Sequence, residues 1–386
     1  MPRARQEAEL PPLYAIVHPG LEEVAGDEVE RELGGELKRA GAGVVVFRLP
    51  EIDRSVLRLR TTEDAFLYAW GTDELSYRAQ DLDSIRRWTD KAPWARLLPL
   101  HHAVRPKPKG KPTYRLVVQM TGQHGYRRAD ALKALARGMA GKLPTSWRAV
   151  EENAAVEVWL TIHGAMAVCG LRLSDRSMRH RTYKVEHRPA SLRPTVAAAM
   201  VRVAELKPGM TVLDPMCGAG TLLAEALLYA KSHRTHDGEP WPLTALGGDI
   251  DPAHARAAAA NLVRLGEVRP ATWDARQLPL EDGTVDRILC NPPFGKQLGT
   301  AEEIRPLYRQ AVREMDRVLR EGGRAVLIVA DAAAIDEAAA AVKWKRLRRV
   351  NIRVLGQRAT ILVYRKSVGH DLGQSVAVAL RRRPSA

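Results

Sequence analysis

Residues 212–221 read Val212-Leu213-Asp214-Pro215-Met216-Cys217-Gly218-Ala219-Gly220-Thr221, an apolar run that enters a glycine-rich turn, and Leu222 to Tyr229 continues with helical composition. A strand that turns through glycines into a helix is the nucleotide-binding corner of a doubly wound α/β sheet. Gly218 and Gly220 leave the backbone uncovered at the turn, so a ligand can approach it, and the helix start offers unpaired N–H donors. No Lys-Ser/Thr pair follows the glycines, which excludes the phosphate-binding P-loop.

Working outward, Thr244 to Asp249, Ala271 to Trp273, Val285 to Asn291 and Arg324 to Val329 read as further strands alternating with helices. A terminal strand pair, Leu347 to Val354 and Ala359 to Arg365, folds around Gly356. Such alternation predicts a mostly parallel sheet covered by helices on both faces. The second strand ends in Gly247-Gly248-Asp249-Ile250-Asp251, where doubly wound folds place an acid that bonds ribose hydroxyls. Asp249 takes that role with Ile250 beside it, while Asp251, one residue before Pro252, caps the next helix. Asp274, followed by Ala275, closes the third strand and is placed to accept a hydrogen bond from an adenine amino group. The fourth strand closes on Asn291-Pro292-Pro293-Phe294-Gly295.

The front half reads differently. Tyr14 to His18, a turn at Pro19-Gly20 and an amphipathic stretch from Leu21 to Leu33 give strand, turn and helix. Val44 to Leu49 and Val56 to Leu59 read as strands and Ala65 to Trp70 as a helix, completing a β-α-β-β-α module over residues 12–75. Residues 93–113 carry five prolines among basic residues and read as an irregular, exposed loop. Tyr114 to Met120, Ala155 to Ile162 and Ala165 to Arg172 are strands and Ala129 to Lys142 a helix, so a second α+β module spans 76–173. The polar, basic stretch 174–194 reads as an interdomain joint, followed by the α/β domain over 195–370. At roughly 100 to 200 residues per domain, 386 residues accommodate this division.

Lys and Arg total 60 against 45 Asp and Glu, a net +15 expected of a protein drawn to a polyanion. The charge is uneven: residues 1–75 hold 9 basic and 15 acidic groups, whereas residues 84–148 hold 15 basic and 2 acidic. That block points to nucleic-acid binding, with Arg86, Arg87, Lys107, Lys109, Lys111, Arg127, Arg128 and Lys133 as candidate phosphate contacts and Trp88, Trp94 and Tyr126 as candidate stacking surfaces. Three scattered cysteines, Cys169, Cys217 and Cys290, form neither a zinc motif nor a disulfide framework. No metal is expected. The polar start, Met1 to Pro12, lacks the apolar core of a signal peptide and no run reaches membrane-spanning length, so a cytoplasmic location and no membrane partner are expected.

Asp214-Pro215-Met216-Cys217-Gly218-Ala219-Gly220-Thr221, Gly248-Asp249-Ile250-Asp251 and Asn291-Pro292-Pro293-Phe294, in this order, resemble the class I S-adenosylmethionine-dependent methyltransferases that act on amino groups of nucleic-acid bases. The joint (Arg179-His180-Arg181 to Leu192-Arg193-Pro194) and the basic module before it resemble the THUMP-containing tRNA guanine-N2 methyltransferases, over about residues 12 to 366. The resemblance implies a ferredoxin-like module at 12–75, a THUMP module at 76–173 that grips the tRNA 3′ end, and a Rossmann-like domain with a seven-stranded, mostly parallel sheet. It implies S-adenosyl-L-methionine against Asp214, Pro215, Cys217, Gly218, Gly220, Thr221, Asp249, Ile250, Asp274, Ala275 and Asn291. It implies catalysis by Asn291, Pro292, Pro293 and Phe294: the Asn291 carboxamide oxygen and Pro292 carbonyl take the amine protons, Pro293 keeps the kink, and Phe294 stacks on the flipped base. Asn at 291 is similar to the enzymes that act on the acceptor stem near position 6. A monomer is expected. An rRNA guanine-N2 methyltransferase and a non-catalytic RNA-binding adaptor are the alternatives.

Overall fold

A computed structural model of the chain describes residues 9–106, 110–188, 191–293, 301–354 and 357–368, with residues 301–303 described by backbone alone. Lys107, Lys109, Phe294 to Gln297 and Gly356 lie outside the described residues. The chain forms two units, Met1–Arg179 and His180–Ala386.

The first unit runs β1 (Leu13–Ile16), α1 (Glu22–Leu33), β2 (Glu36–Gly41), β3 (Val44–Arg48), β4 (Asp64–Thr72), α2 (Asp81–Lys91), α3 (Trp94–Val104), β5 (Thr113–Thr121), α4 (Arg128–Gly138), β6 (Arg148–Ala149), β7 (Val156–His163) and β8 (Met166–Arg172). Its described strands form one sheet in the order β2-β3-β1-β4-β8-β7-β5-β6. Segments 12–75 and 76–173 therefore share a sheet, joined where β4 pairs antiparallel with β8.

Three readings of the front half differ from the sequence expectation. Ala65 to Trp70 is strand: Phe66 stands opposite Tyr14 of β1 and stacks on it with ring centroids 4.5 Å apart, a cross-strand pair that outweighs the weak helical pattern. Arg54–Arg58 is a 3₁₀ turn, because the Asp53 carboxylate accepts the Ser55 N–H at 2.8 Å and closes it. Residues 94–104 are helical: Trp94, Leu97, His101 and Val104 are buried on one face at helical spacing, and that period outweighs Pro99, which forgoes one backbone bond within α3.

The second unit comprises α5 (Pro194–Ala204), β9 (Met210–Asp214), α6 (Thr221–Ser232), β10 (Leu243–Asp249), α7 (Pro252–Leu262), β11 (Ala271–Thr272), β12 (Val285–Cys290), α8 (Ala301–Val318), β13 (Leu319–Val329), α9 (Ala332–Ala341), β14 (Lys345–Val354) and β15 (Gln357–Arg365). Seven described strands form a sheet in the order β11-β10-β9-β12-β13-β15-β14. All pair in parallel except β15, which is antiparallel to both neighbours. The core of β12 is buried at every position, as a strand covered on both faces requires.

The stretch 174–194, though exposed at many positions, is anchored at several others. Ser174 Oγ donates to Asp64 Oδ1 at 2.7 Å and Arg179 lies 3.3 Å from Asp64, both within the first unit. Beyond the division, Arg181 meets the buried Glu225 of α6 at 3.2 Å, and the Tyr183 hydroxyl donates to the same carboxylate at 2.8 Å.

Candidate active site

Strand order reverses between β9 and β12: from β9 the sheet grows one way to β10 and β11, and the other way to β12 and β13. In an open α/β sheet a ligand crevice forms at such a point, outside the carboxyl ends of the strands. The glycine turn follows β9 and Asn291-Pro292-Pro293 follows β12, so the sheet brings the two motifs to neighbouring strand ends at the same edge.

The turn is fixed by two hydrogen bonds to β10 and one within itself. Cys217 N–H donates to the Gly248 carbonyl at 2.8 Å, Gly218 N–H donates to Asp249 Oδ2 at 3.0 Å, and Gly220 N–H returns to the Cys217 carbonyl at 2.7 Å. The glycines serve different ends. Gly218 has φ +51°, and a Cβ there would meet nothing within 4 Å, so it faces open space. Gly220 has φ +77°, but a Cβ there would come within 3.1 Å of the Ala258 methyl on α7. Helix packing and a left-handed backbone thus both require glycine at 220. Gly247 and Gly248 are closed as well: side chains there would approach Leu223 at 2.4 Å and the Ala271 carbonyl at 2.5 Å.

Asp249 is 8% exposed and already ordered. Its Oδ1 accepts the Asp251 N–H at 3.0 Å and lies 3.2 Å from His254 Nδ1. Asp251 caps α7 through the Ala253 N–H at 2.7 Å, as its place before Pro252 predicts. Ile250 stands 66% exposed beside the acid, an apolar face at which an aromatic ring can lie. Asp274 is held by Arg276, whose guanidinium Nη2 lies 2.6 Å from Oδ2; that hydrogen bond keeps the Asp274 carboxyl below its usual range. Both of its oxygens meet Arg276, and a carboxylate paired in this way keeps lone pairs for a further donor. Ala275 is buried. Asp214 is 1% exposed and accepts the Met216 N–H at 3.2 Å; burial, with the Asp249 charge adding to it, lifts its carboxyl well above the usual range.

Asn291 is half-buried, and its Oδ1 is buried without a hydrogen-bond partner among the described residues. A buried carbonyl oxygen left unpaired is costly unless a ligand supplies the donor. Pro292 is buried, and the Pro293 carbonyl accepts the Tyr308 hydroxyl of α8 at 2.9 Å. Sequence reasoning missed Tyr308, which lies fifteen residues past Pro293. It also missed Asn261 of α7, whose Nδ2 donates to the Ala219 carbonyl at 2.9 Å and the Glu186 carbonyl at 3.0 Å while its Oδ1 accepts the Glu186 N–H at 2.8 Å. It missed Trp273, whose indole N–H bonds the Pro215 carbonyl at 3.0 Å. Each supports a backbone atom, which no motif spacing signals. Cys217 and Cys290 are buried, and burial drives both thiols well above the ordinary cysteine range, so neither is poised as a nucleophile.

In the first unit Arg87, Lys111, Arg127, Arg128 and Lys133 are exposed and Arg86 is partly so. Arg86 and Arg87 both lie against Asp83, at 2.9 and 3.3 Å. Trp94 and Tyr126 are 2% and 6% exposed and belong to the core, and Trp88 packs against it with its ring 5.3 Å from Trp70; this corrects their reading as stacking surfaces. Among the described residues no helix is long and apolar enough to cross a membrane, and no cluster of His, Cys, Asp or Glu is grouped to hold a metal ion.

The strand order, the glycine turn and the acid closing the second strand define a class I methyltransferase, and its cofactor is S-adenosyl-L-methionine. Residues 181–360 match the family described as RMKL-like, methyltransferase domain. A tRNA (guanine(6)-N2)-methyltransferase of Thermus thermophilus is 30% identical over 322 residues, 82% of this chain and 88% of that relative. The crystal structure of TrmN from Thermus thermophilus superposes with TM-score 0.72 at 26% identity, covering 92% of this chain and 99% of that one. The mouse tRNA (guanine(6)-N(2))-methyltransferase THUMP3 is 31% identical over 57% of this chain, which spans 45% of its length. The chain belongs to the tRNA guanine-N2 methyltransferase family of the Thermus thermophilus enzyme.

The residues fit the cofactor: the open space over Gly218 and the start of α6 at one strand end, with Asp249 and Ile250 at the next, would hold it. When bound, it supplies an electrophilic methyl group.

Proposed function

We propose that this protein methylates the exocyclic amino group of a guanosine in tRNA, in the acceptor stem near position 6. One observation carries the chemistry: the unpartnered Asn291 Oδ1 at the switch point, on a strand end adjoining the open glycine turn. A guanine N2 is a poor nucleophile while its lone pair is conjugated with the ring. An acceptor that takes one N–H, with the Pro292 carbonyl proposed to take the other, orients the nitrogen toward the methyl group and accepts charge as the bond forms. Asn stays neutral throughout, and the proton leaves to solvent after transfer.

The substrate assignment rests on the 30% identity with the Thermus thermophilus enzyme across most of both chains. In this reading 12–75 is a ferredoxin-like module, 76–173 a THUMP module that captures the 3′ end, 174–194 the joint and 195–370 the catalytic domain, acting as a cytoplasmic monomer. Asp214, Pro215, Cys217, Gly218, Thr221, Asp249, Ile250 and Ala275 line or support the cofactor, Gly220 packs the turn, and Asp274 accepts from the adenine amino group. Phe294 stacks on the flipped base. The test is incubation of the purified protein with labelled cofactor and unmodified tRNA or rRNA, followed by nuclease digestion and mass spectrometry. Label in 2-methylguanosine at position 6 of tRNA is expected; label confined to rRNA, or none, would overturn the assignment.

A further inference from the structure

The C-terminal hairpin carries a second concentration of positive charge that neither the cofactor site nor the basic block at 84–148 explains. Residues 343–366 hold nine Lys and Arg and no Asp or Glu. They form β14 and β15, with β14 at the open edge of the sheet.

Charged side chains on an edge strand block unwanted strand pairing, and that alone would explain scattered lysines. It does not explain their register. Arg353 stands directly opposite Arg358, and Lys345 directly opposite Arg365. Like charges across a strand pair destabilise it. Arg346 is neutralised by Asp336 of α9 at 2.8 Å, which shows that an acid can be supplied at this edge. Among the described residues Lys345, Arg349, Arg353, Arg358 and Arg365 have no acid partner, and Arg349, Arg353 and Arg358 are exposed.

Position selects the occupant. Because β15 runs antiparallel to both β13 and β14, β14 runs parallel to β12 and β9, and Arg353 near its carboxyl end lies at the same sheet edge as Asn291. Arg349 and Arg353, two intervals of strand alternation apart, and Arg358 across the hairpin form a row leading to the catalytic edge.

We propose that the β14–β15 hairpin is a phosphate-docking rail for the RNA substrate, in which Arg349, Arg353 and Arg358 contact the sugar–phosphate backbone beside the target nucleotide. Guanidinium forks suit phosphate oxygens, and an approaching polyanion relieves the repulsion built into the register. This rests on the reading of the protein as an RNA methyltransferase and adds where the catalytic unit itself grips the nucleic acid.

The full-length protein is compared with the triple variant Arg349→Gln, Arg353→Gln, Arg358→Gln and with a triple Arg→Lys variant at the same positions, using unmodified tRNA transcript from 50 to 200 mM salt. Each phosphate contact contributes a slope of about −0.9 in log affinity against log salt, so the Gln variant should lose about 2 to 3 units of slope while the Lys variant keeps them. Calorimetric affinity for S-adenosylmethionine should match in all three, which also reports that the catalytic unit is folded. An unchanged slope in the Gln variant would overturn the proposal, as would aggregation of that variant with RNA binding intact, which marks edge protection alone. If the wild type binds tRNA with the full slope and the Gln variant does not, yet neither yields 2-methylguanosine, the rail stands and the substrate assignment falls. Normal methylation with identical slopes gives the converse.

Discussion

An amide oxygen and a phenol, far apart in the chain, shape the acceptor end of the site. Asn291 offers an oxygen that nothing in the described protein bonds, whereas Tyr308 bonds the Pro293 carbonyl and touches the motif only through its backbone. The two should fail differently. Asn291→Ala removes the acceptor, so methyl transfer should fall below detection in single-turnover assays while cofactor affinity by calorimetry stays within twofold. Tyr308→Phe removes one hydrogen bond worth about 1 kcal/mol and frees the turn, so kcat should fall roughly tenfold with KM for the cofactor unchanged. A Tyr308→Phe enzyme with wild-type kcat would leave that hydroxyl a core contact only. Asn291 was legible because it lies inside a motif whose neighbours are glycine and proline. Tyr308 was not, because a tyrosine on an amphipathic helix has the pattern of any core residue until the fold shows which carbonyl it meets.

Elements with a strong period were read correctly, and those whose identity depends on a distant partner were not. Most strands of the catalytic sheet are apolar runs, β14 being the charged exception, and all seven expected there are present. Strand β4 owes its state to β1 and β8, and α3 hides its period behind proline. Helix α3 also buries a histidine. His101 is 1% exposed, lies 3.1 Å from the Arg172 carbonyl, and burial lowers its pKa to about 4. Since the unfolded chain takes up this proton near pH 6.5 and the folded chain does not until about 4, the stability linked to it is complete above 6.5 and is lost as pH falls toward 4. His101→Gln keeps a donor for the carbonyl and removes the titration. Urea titrations followed by tryptophan fluorescence should show the wild type losing up to about 3 kcal/mol more than the variant over that range. Parallel decline of the two proteins would remove His101 as the cause.

Across the whole molecule charge is partitioned, with an acidic first segment, a basic block at 84–148 and a basic terminal hairpin. Composition made the block visible; the hairpin needed the sheet order, since only the register reveals that like charges stand face to face. If residues 107–111 belong to the tRNA-gripping surface, changing Lys107, Lys109 and Lys111 to Glu should weaken tRNA binding and flatten its salt dependence by about 2 to 3 units of slope. Methylation of a short acceptor-stem fragment lacking the 3′ end should be unaffected. Equal salt curves for variant and wild type would reduce that loop to a connection.

Asn261 joins the glycine turn to residue 186 with both ends of one amide, donating to two carbonyls and accepting one N–H. Carboxamides are among the side chains that hot-living organisms avoid, because heat hydrolyses them. Hydrolysis here would set a carboxylate against two carbonyl oxygens with no hydrogen left to offer either. Burial and three hydrogen bonds shield this amide, and Asn261→Asp, which mimics its hydrolysis, should weaken calorimetric affinity for the methyl donor at a temperature where the protein is still folded.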